Sequence, residues 1–299
     1  MKVVVIMNTT SGTLSSPEHR QTFLGALRDV GLDTAVIIIS EGGDIAAALQ
    51  HHLENDCQTV VAAGGDGTVS IVASMIVGTG ISLGVIPGGT LNHFAADLHI
   101  PFDLIQAVNV LKSGVTKRVD VGTVNGRVFL NNSGLGLYPE MVMKREEIRK
   151  HGVRKATALL IASALTLVRF PLLKMRVEVN GKSVEHRTPF VFVGNNPYDV
   201  DGARFGRRSR IDTGRLCLWV ARRDHRLSLL RAIFQMTLKG LQGVRELEVV
   251  TASEAVITAR RKYVPVSIDG EVFKLRTPLK YRIRPGALSV IVPAAGEPQ

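Results

Sequence analysis

Cysteine is nearly absent from this chain. Two residues, Cys57 and Cys217, stand far apart and outside any CxxC spacing. That excludes a disulfide framework and a thiolate zinc site, and it fits a reducing compartment. Aromatic residues are scarce, 5% with a single Trp. No interleaving of basic and aromatic residues is legible, so a nucleic-acid partner is not expected. Long apolar runs are missing too. The longest, residues 156–168, falls short of the roughly 20 residues a membrane-spanning helix needs. The opening MKVVVIMNTTSG has one Lys and then five apolar residues, too few for a signal peptide. Acidic residues are outnumbered, 26 against 37 basic ones, for a net charge of +11. Such a surface attracts polyanions: nucleotides or an anionic bilayer. The expectation is a soluble cytoplasmic protein, peripheral at the inner membrane face.

Hydrophobic residues and glycines are plentiful: 45% of the chain is hydrophobic, and 29 of 299 residues are Gly. With few aromatics, Val, Ile, Leu and Ala must fill the core. The first third alternates short all-apolar runs with helical spacing. KVVVIM, TAVIII, QTVVAA and ISLGVI read as strands; Pro17 to Val30, Ile45 to Leu53 and a stretch from Val69 read as helices. Asp44 is the expected N-cap of the second helix. Short apolar strands alternating with helices predict a parallel sheet covered on both faces.

Near residue 117 the pattern changes to strands and turns. The Asn-Gly pairs at 125–126 and 180–181 sit between strand-like runs and predict hairpins. Further strands are expected at Arg215–Val220, Glu246–Thr258, Tyr263–Ile268, Glu271–Arg276 and Leu279–Arg284, with a helical stretch at Arg226–Leu241. The fold class expected is an α/β N-terminal domain, residues 1–116, and a mostly antiparallel β-sandwich, residues 117–285. The tail 286–299 is expected to pack back on the first domain.

The glycines are concentrated where strands end. VVAAGGDGTVS runs from an apolar strand into Gly64, Gly65, Asp66, Gly67 and Thr68 and on into a helix. Gly lets backbone approach a ligand closely, and a helix start offers unpaired N–H groups that suit phosphate. Asp66 is the odd member: a carboxylate beside phosphates needs a cation or a hydroxyl. Read without the chemistry, the same stretch is a tight strand-to-helix turn with an acidic cap. One strand later the pattern recurs as Pro87-Gly88-Gly89-Thr90 running into Leu91-Asn92, and Asn8-Thr9-Thr10-Ser11-Gly12 follows the first strand. Loops at the carboxyl ends of neighbouring parallel strands line one crevice. Three of them predict a nucleotide site.

GGDGT followed by PGGTLNHFAADL resembles the diacylglycerol kinase catalytic-domain family, and within it the bacterial soluble lipid kinases. The likeness continues in order through Asp120 of RVDVG, Asn132 to Gly136 of NNSGLG, Asn196-Pro197, and Asp269-Gly270-Glu271 of SIDGEVF, and so covers nearly the whole chain. GGDGT alone is shared with NAD kinases and phosphofructokinases; the ordered set is more specific. The resemblance implies ATP and Mg²⁺ as cofactors and a lipid hydroxyl as acceptor. It implies ATP contacts from Asn8, Thr9, Thr10, Ser11, Gly12, Ser40, Gly64, Gly65, Asp66, Gly67, Thr68, Val69, Ser70, Gly89, Thr90 and Asn92. Asp66, Asp120, Asp269 and Glu271 become the catalytic candidates, with Glu271 as general base and Asp66 and Asp269 as metal ligands. Without the resemblance, Asp269-Gly270 reads as an ordinary hairpin turn.

Two departures stand out. His93 occupies a position where many members carry Asp. Thr213 follows Asp212 where members have a second Asp, so Asp212 is a poor ligand for a structural metal. A basic stretch, Lys144 to Lys155, precedes the apolar run ATALLIASALTLV. It reads as an anionic-membrane contact or as a solvated face leading into a core helix. Arg204, Arg207, Arg208 and Arg210 read as a second basic cluster at the surface or facing phosphate. The acceptor stays open: diacylglycerol, another lipid such as a sphingoid base, or a soluble alcohol. A non-catalytic nucleotide- or lipid-binding regulator is the reading from another class. Oligomeric state is not legible, although an edge strand leaves a homodimer open.

Overall fold

The computed structural model describes residues 2–10, 12–40, 43–53, 57–136, 139, 172–199, 207–221 and 247–294. The apolar run 156–168, the basic stretch before it, Ser11, Arg204 and the helical stretch expected at 226–241 lie outside these residues. The chain divides into two compact units, Met1–Val121 with Pro285–Gln299, and Gly122–Arg284. The first division falls later than the change of pattern near residue 117, because strand β5 (Val115–Val124) runs through it unbroken.

In the first unit, β1 (Lys2–Asn8), β2 (Asp33–Ile39), β3 (Thr59–Gly64) and β4 (Ser82–Pro87) form a parallel sheet in the order β2-β1-β3-β4. Val3 to Met7 and Val60 to Ala63 are fully or almost fully buried. Burial on both faces is what makes these strands read as unbroken apolar runs. The last strand, β16 (Leu279–Val292), brings Ser289 and Val290 alongside Ser82 and Leu83, again parallel.

Among the described residues of this unit, the α-helices carry local signals. In α1 (Pro17–Asp29), Pro17 occupies the first turn and Phe23, Ala26 and Leu27 form the buried face. In α2 (Ile45–Leu53), Asp44 Oδ1 accepts the amides of Ala46 and Ala47 at 2.8 and 3.1 Å, as the capping rule predicts. The helix expected from Val69 starts earlier, as α3 (Asp66–Ile76), and the short α4 (His93–Asp97) follows the second glycine loop. Sequence reading misses α5 (Leu104–Ser113). Its signals are the Asp103 side chain accepting the Gln106 amide at 2.9 Å and a buried set at Leu104, Ala107, Val108 and Leu111.

The second unit is a β-sandwich. Among the described residues, one sheet has six strands in the order β12 (Leu247–Ala252), β11 (Leu216–Ala221), β10 (Phe190–Asn195), β7 (Asn132–Gly136), β14 (Tyr263–Ile268), β15 (Glu271–Arg276), all antiparallel where paired. Its partner includes β8 (Leu173–Val179), β9 (Lys182–Thr188), β13 (Glu254–Ala259), the first part of β16, and the pair of β5 with β6 (Arg127–Phe129). The strand expected over 246–258 divides at Ser253 into β12 and β13, which belong to different sheets. Leu135, Val193, Leu218, Val266 and Ile268 from one sheet and Val177, Ile257, Leu279 and Tyr281 from the other fill the core. Both Asn-Gly pairs are hairpin turns with positive φ at each residue, 48° and 84° at 125–126 and 51° and 74° at 180–181. Asp269-Gly270 is a third, at 46° and 91°. Asn, Asp and Gly tolerate this left-handed backbone, which matches the twist of the flanking strands.

Candidate functional site

In the first unit, the three glycine-bearing loops meet backbone to backbone. The Thr13 amide donates to the Gly88 carbonyl at 2.8 Å, and the Gly88 amide donates to the Gly64 carbonyl at 2.8 Å. Side chains cannot fit between them. A Cβ on Gly89 would lie 2.6 Å from the Gly65 Cα, and a Cβ on Gly12 would collide with the Gly88 carbonyl. Gly12 also carries a φ of 75°. The glycines thus have a use that sequence reading passes over: they let three strand ends share one platform.

Polar side chains lock the platform from within. Asn8 Nδ2 donates to Thr68 Oγ1 at 2.9 Å, and Asn8 Oδ1 accepts the Thr10 amide and hydroxyl at 3.0 and 2.8 Å. Thr9 Oγ1 donates to the Ile39 carbonyl at 3.0 Å. Asn92, with a φ of 50°, turns back so that Oδ1 accepts the Gly89 amide and Nδ2 donates to the Gly89 carbonyl, each at 2.9 Å. Thr68 and Asn92 are both buried, at 4% and 9% exposure, so they shape the loops from inside. Thr10, Ser40 and Thr90 are exposed, whereas Gly65, Asp66, Gly67 and Ser70 are half-buried. Among the described residues, no side chain caps the N-terminus of α3. The amides of Asp66, Gly67 and Thr68 are first-turn groups without an intrahelical acceptor. They provide partial positive charge at the platform.

Asp66 joins the second and third of these loops. Its Oδ2 accepts the His93 amide and its Oδ1 the Phe94 amide, both at 3.2 Å. His93 therefore contributes its backbone here, whatever its side chain does. Each carboxylate oxygen retains acceptor capacity for a cation. Asp120 is placed differently. It is 2% exposed, and its Oδ1 accepts the Gly286 amide at 2.8 Å, tying β5 to β16.

In the second unit, Asp269 lies in a two-residue hairpin turn and Glu271 directly follows it. The Asp269 carboxylate curls back onto a distant segment and accepts three successive amides: Leu130 and Asn131 at 2.8 Å and Asn132 at 3.0 Å. The Asp269 amide returns a bond to the Asn132 carbonyl at 2.9 Å. Glu271 opens β15 opposite Ile268. The Glu271 side chain is exposed, yet the desolvating surroundings of its carboxyl push it above the ordinary Glu value, and the Asp269 carboxylate beside it adds to the rise. Tyr281, fully buried, meets Ser133 Oγ through its hydroxyl at 3.1 Å, and burial holds its phenol far above the usual value.

Of the expected basic cluster, Arg208 departs from the surface reading. Arg207 and Arg210 are exposed, but Arg208 is 3% exposed and points inward. Its guanidinium donates to the carbonyls of Leu130 and Asn195 and to Asn131 Oδ1 at 2.6, 2.8 and 2.8 Å. Sequence reading missed it because a run of arginines looks the same whether one member is buried or not. Asp212 Oδ1 accepts Arg210 Nε at 2.9 Å. Thr213 bonds Asn196 Oδ1 through both its amide and its hydroxyl, at 2.8 and 2.6 Å.

Comparisons with known proteins agree with this architecture. Residues 2–124 match the family model of the diacylglycerol kinase catalytic domain, and residues 142–292 match the YegS C-terminal NAD kinase beta sandwich-like domain. A diacylglycerol kinase of Staphylococcus carnosus (strain TM300) is 25% identical over 269 residues, 89% of this chain and 87% of the relative. One from Staphylococcus saprophyticus is 36% identical over 129 residues, 42% of each chain. The crystal structure of a diacylglycerol kinase from Bacillus anthracis str. Sterne superimposes with a TM-score of 0.69 at 21% identity, covering 98% of this chain and 97% of the other. Another structure from that organism reaches 0.75 at 24%, covering 98% of both chains.

Proposed function

We propose that this chain, which belongs to the diacylglycerol kinase catalytic-domain family, is an ATP-dependent lipid kinase that moves the γ-phosphate of ATP onto the hydroxyl of diacylglycerol or a related lipid. The observation that carries this reading is the platform of three glycine loops around the uncapped start of α3, with Asp66 as the carboxylate among them. Backbone amides and a helix N-terminus receive the phosphates without repelling them.

Mg²⁺ fits this donor set as a nucleotide-borne ion. Among the described residues no cluster of three or more His, Cys, Asp or Glu is placed to enclose a metal. A Mg²⁺ that arrives with phosphates asks the protein for only one or two carboxylates, and Asp66 is the one we assign. When bound, the ion would neutralise charge that builds on the transferring phosphoryl group.

The remaining steps belong to the chain. Glu271 takes the proton of the acceptor hydroxyl. That oxygen bonds to the γ-phosphorus, the bond from phosphorus to the bridging oxygen breaks, and ADP leaves with the electron pair. Asp269 orients the turn that carries Glu271, its own oxygens committed to the amides of 130–132. Peripheral contact of a basic surface with an anionic bilayer is the route we propose to the substrate.

The test uses labelled ATP, Mg²⁺ and a bacterial lipid extract in detergent micelles, with wild type beside Glu271→Gln. Label in a diacylglycerol-derived phosphomonoester, lost in the variant, is the expected result. Label in a different lipid renames the acceptor. ATP binding with no labelled product in this pool, or in one of soluble alcohols, would overturn the kinase reading.

A further inference from the structure

The turn that holds Asp269 is itself held from its other side. Leu130, Asn131 and Asn132 aim their amides at the Asp269 carboxylate. Arg208 grips the opposite faces of the same residues, with Nη1 on the Leu130 carbonyl at 2.6 Å and Nη2 on Asn131 Oδ1 at 2.8 Å. The peptide group joining Leu130 to Asn131 therefore has its oxygen on a cation and its N–H on an anion. Asn195 and Tyr198 complete the grip. Asn195 Nδ2 donates to the Leu130 carbonyl at 2.8 Å, and the Asn195 amide and the Tyr198 hydroxyl donate to the Asn131 carbonyl at 2.9 and 3.0 Å. The Arg208 guanidinium carbon also lies 5.5 Å from the centre of the Tyr198 ring.

A guanidinium buried to 3% exposure is an expensive way to hold a loop. Its desolvation is offset only when its N–H groups are well matched, and an apolar residue often serves stability equally well. What an apolar residue cannot do is orient peptide dipoles. Aligned between opposite charges, each peptide hydrogen bond strengthens the next. The planar fork of Arg also sets the angle between its two arms, which a Lys ammonium does not.

We propose that Arg208 is a positioning residue for phosphoryl transfer. It fixes the 130–132 turn, so that three amides fix Asp269 and the hairpin presents Glu271 to the acceptor hydroxyl. This rests on the assignment of Glu271 as proton acceptor. Arg208 touches no reacting atom in this scheme; it acts through the turn. The nucleotide platform belongs to the other unit and is made without it.

The experiment compares wild type, Arg208→Lys, Asn131→Ala and Glu271→Gln, with dioctanoylglycerol in micelles as acceptor. It measures kcat, KM for ATP, the unfolding midpoint and hydrogen exchange of the amides at 130–132. For Arg208→Lys we expect kcat to fall about tenfold or more, within the range that a positioned proton acceptor contributes. KM for ATP stays at the wild-type value, and exchange at 130–132 rises while that of β1 and β3 does not. If Arg208→Lys does not fold, Asn131→Ala, which removes the Nη2 acceptor, should show the same pattern to a smaller degree. Wild-type kcat with wild-type exchange in both variants would overturn the proposal. So would a loss of kcat that merely tracks the unfolded fraction. Failure of the underlying reading looks different: Glu271→Gln would be as active as wild type, and both assignments would go. Inactive Glu271→Gln beside fully active Arg208→Lys removes only the role of Arg208.

Discussion

Asp66 and Asp269 make the same kind of contact in two settings. Each is a carboxylate beside a tight turn that accepts backbone amides from a distant segment. In the first unit, Asp66 takes one amide on each oxygen, both at 3.2 Å. In the second, Asp269 takes three, at 2.8 to 3.0 Å. Shorter and more numerous bonds to an anion are stronger ones. Asp269 is therefore spent on structure and on the electrostatics of Glu271. Asp66, with two longer bonds, keeps acceptor capacity for the cation proposed above. The difference teaches that acidic residues in matching sequence contexts, each followed by Gly, need not share a role.

The largest effect should come from the group nearest the chemistry. Glu271→Gln is expected to lower kcat about a hundredfold to ten-thousandfold while ATP binding, measured by calorimetry, is kept. Next come the two aspartates, which test the contrast directly. Asp269→Ala strands three donors and should cost about 3 kcal/mol or more, read from the urea midpoint, with activity lost as well. Asp66→Ala should cost about 1 kcal/mol, the scale of a lost helix cap, yet weaken the Mg²⁺ dependence of transfer. Equal stability losses in the two variants would erase the distinction.

The pH profile sharpens the same point. Glu271 must be deprotonated to accept a proton, and its carboxyl lies above the ordinary range through local desolvation and then Asp269. Activity should rise with pH through that raised value, and Asp269→Asn should move the acid limb down toward the usual Glu range. The stability sign is opposite. The folded protein holds this proton more tightly than the unfolded chain, so Glu271 favours folding below the ordinary Glu value. That contribution is lost as pH climbs through the raised one.

The effects on the glycine platform rank by distance. Gly89→Ala puts a Cβ 2.6 Å from the Gly65 Cα and should cost about 1–3 kcal/mol, as overpacking does, and weaken ATP binding. Gly65→Ala meets the Gly89 Cα only at 3.3 Å and should cost less. Paired urea melts and nucleotide titrations would check the order. An inverted order would mean that the loops do not meet as described.

Much of the fold was legible from local patterns. The first four strands, the caps at Asp44 and the Asn-Gly hairpins follow from periodicity and turn chemistry, which act over a few residues. The missed helix α5 had a readable cap. The strand expected over 246–258 proved to be two, because strand-like residues lie on both sides of Ser253 and the change of sheet there depends on distant pairing partners. The candidate site was legible as motifs but not as contacts. GGDGT and PGGT announced a platform, yet nothing in their order said that Gly88 and Gly89 would pack on Gly64 and Gly65.

By itself, the sequence determined most of the order of strands, helices and turns, the family, and which residues are candidates for the chemistry, because each depends on neighbours along the chain. Only the tertiary structure decided that Arg208 is buried while Arg207 and Arg210 are exposed, that Asp269 reaches back to residues 130–132, and that Asp66 caps α4. Those outcomes depend on which distant backbone groups fold against a side chain, and hydrogen-bond partners separated by 27 to 139 residues leave no local signature.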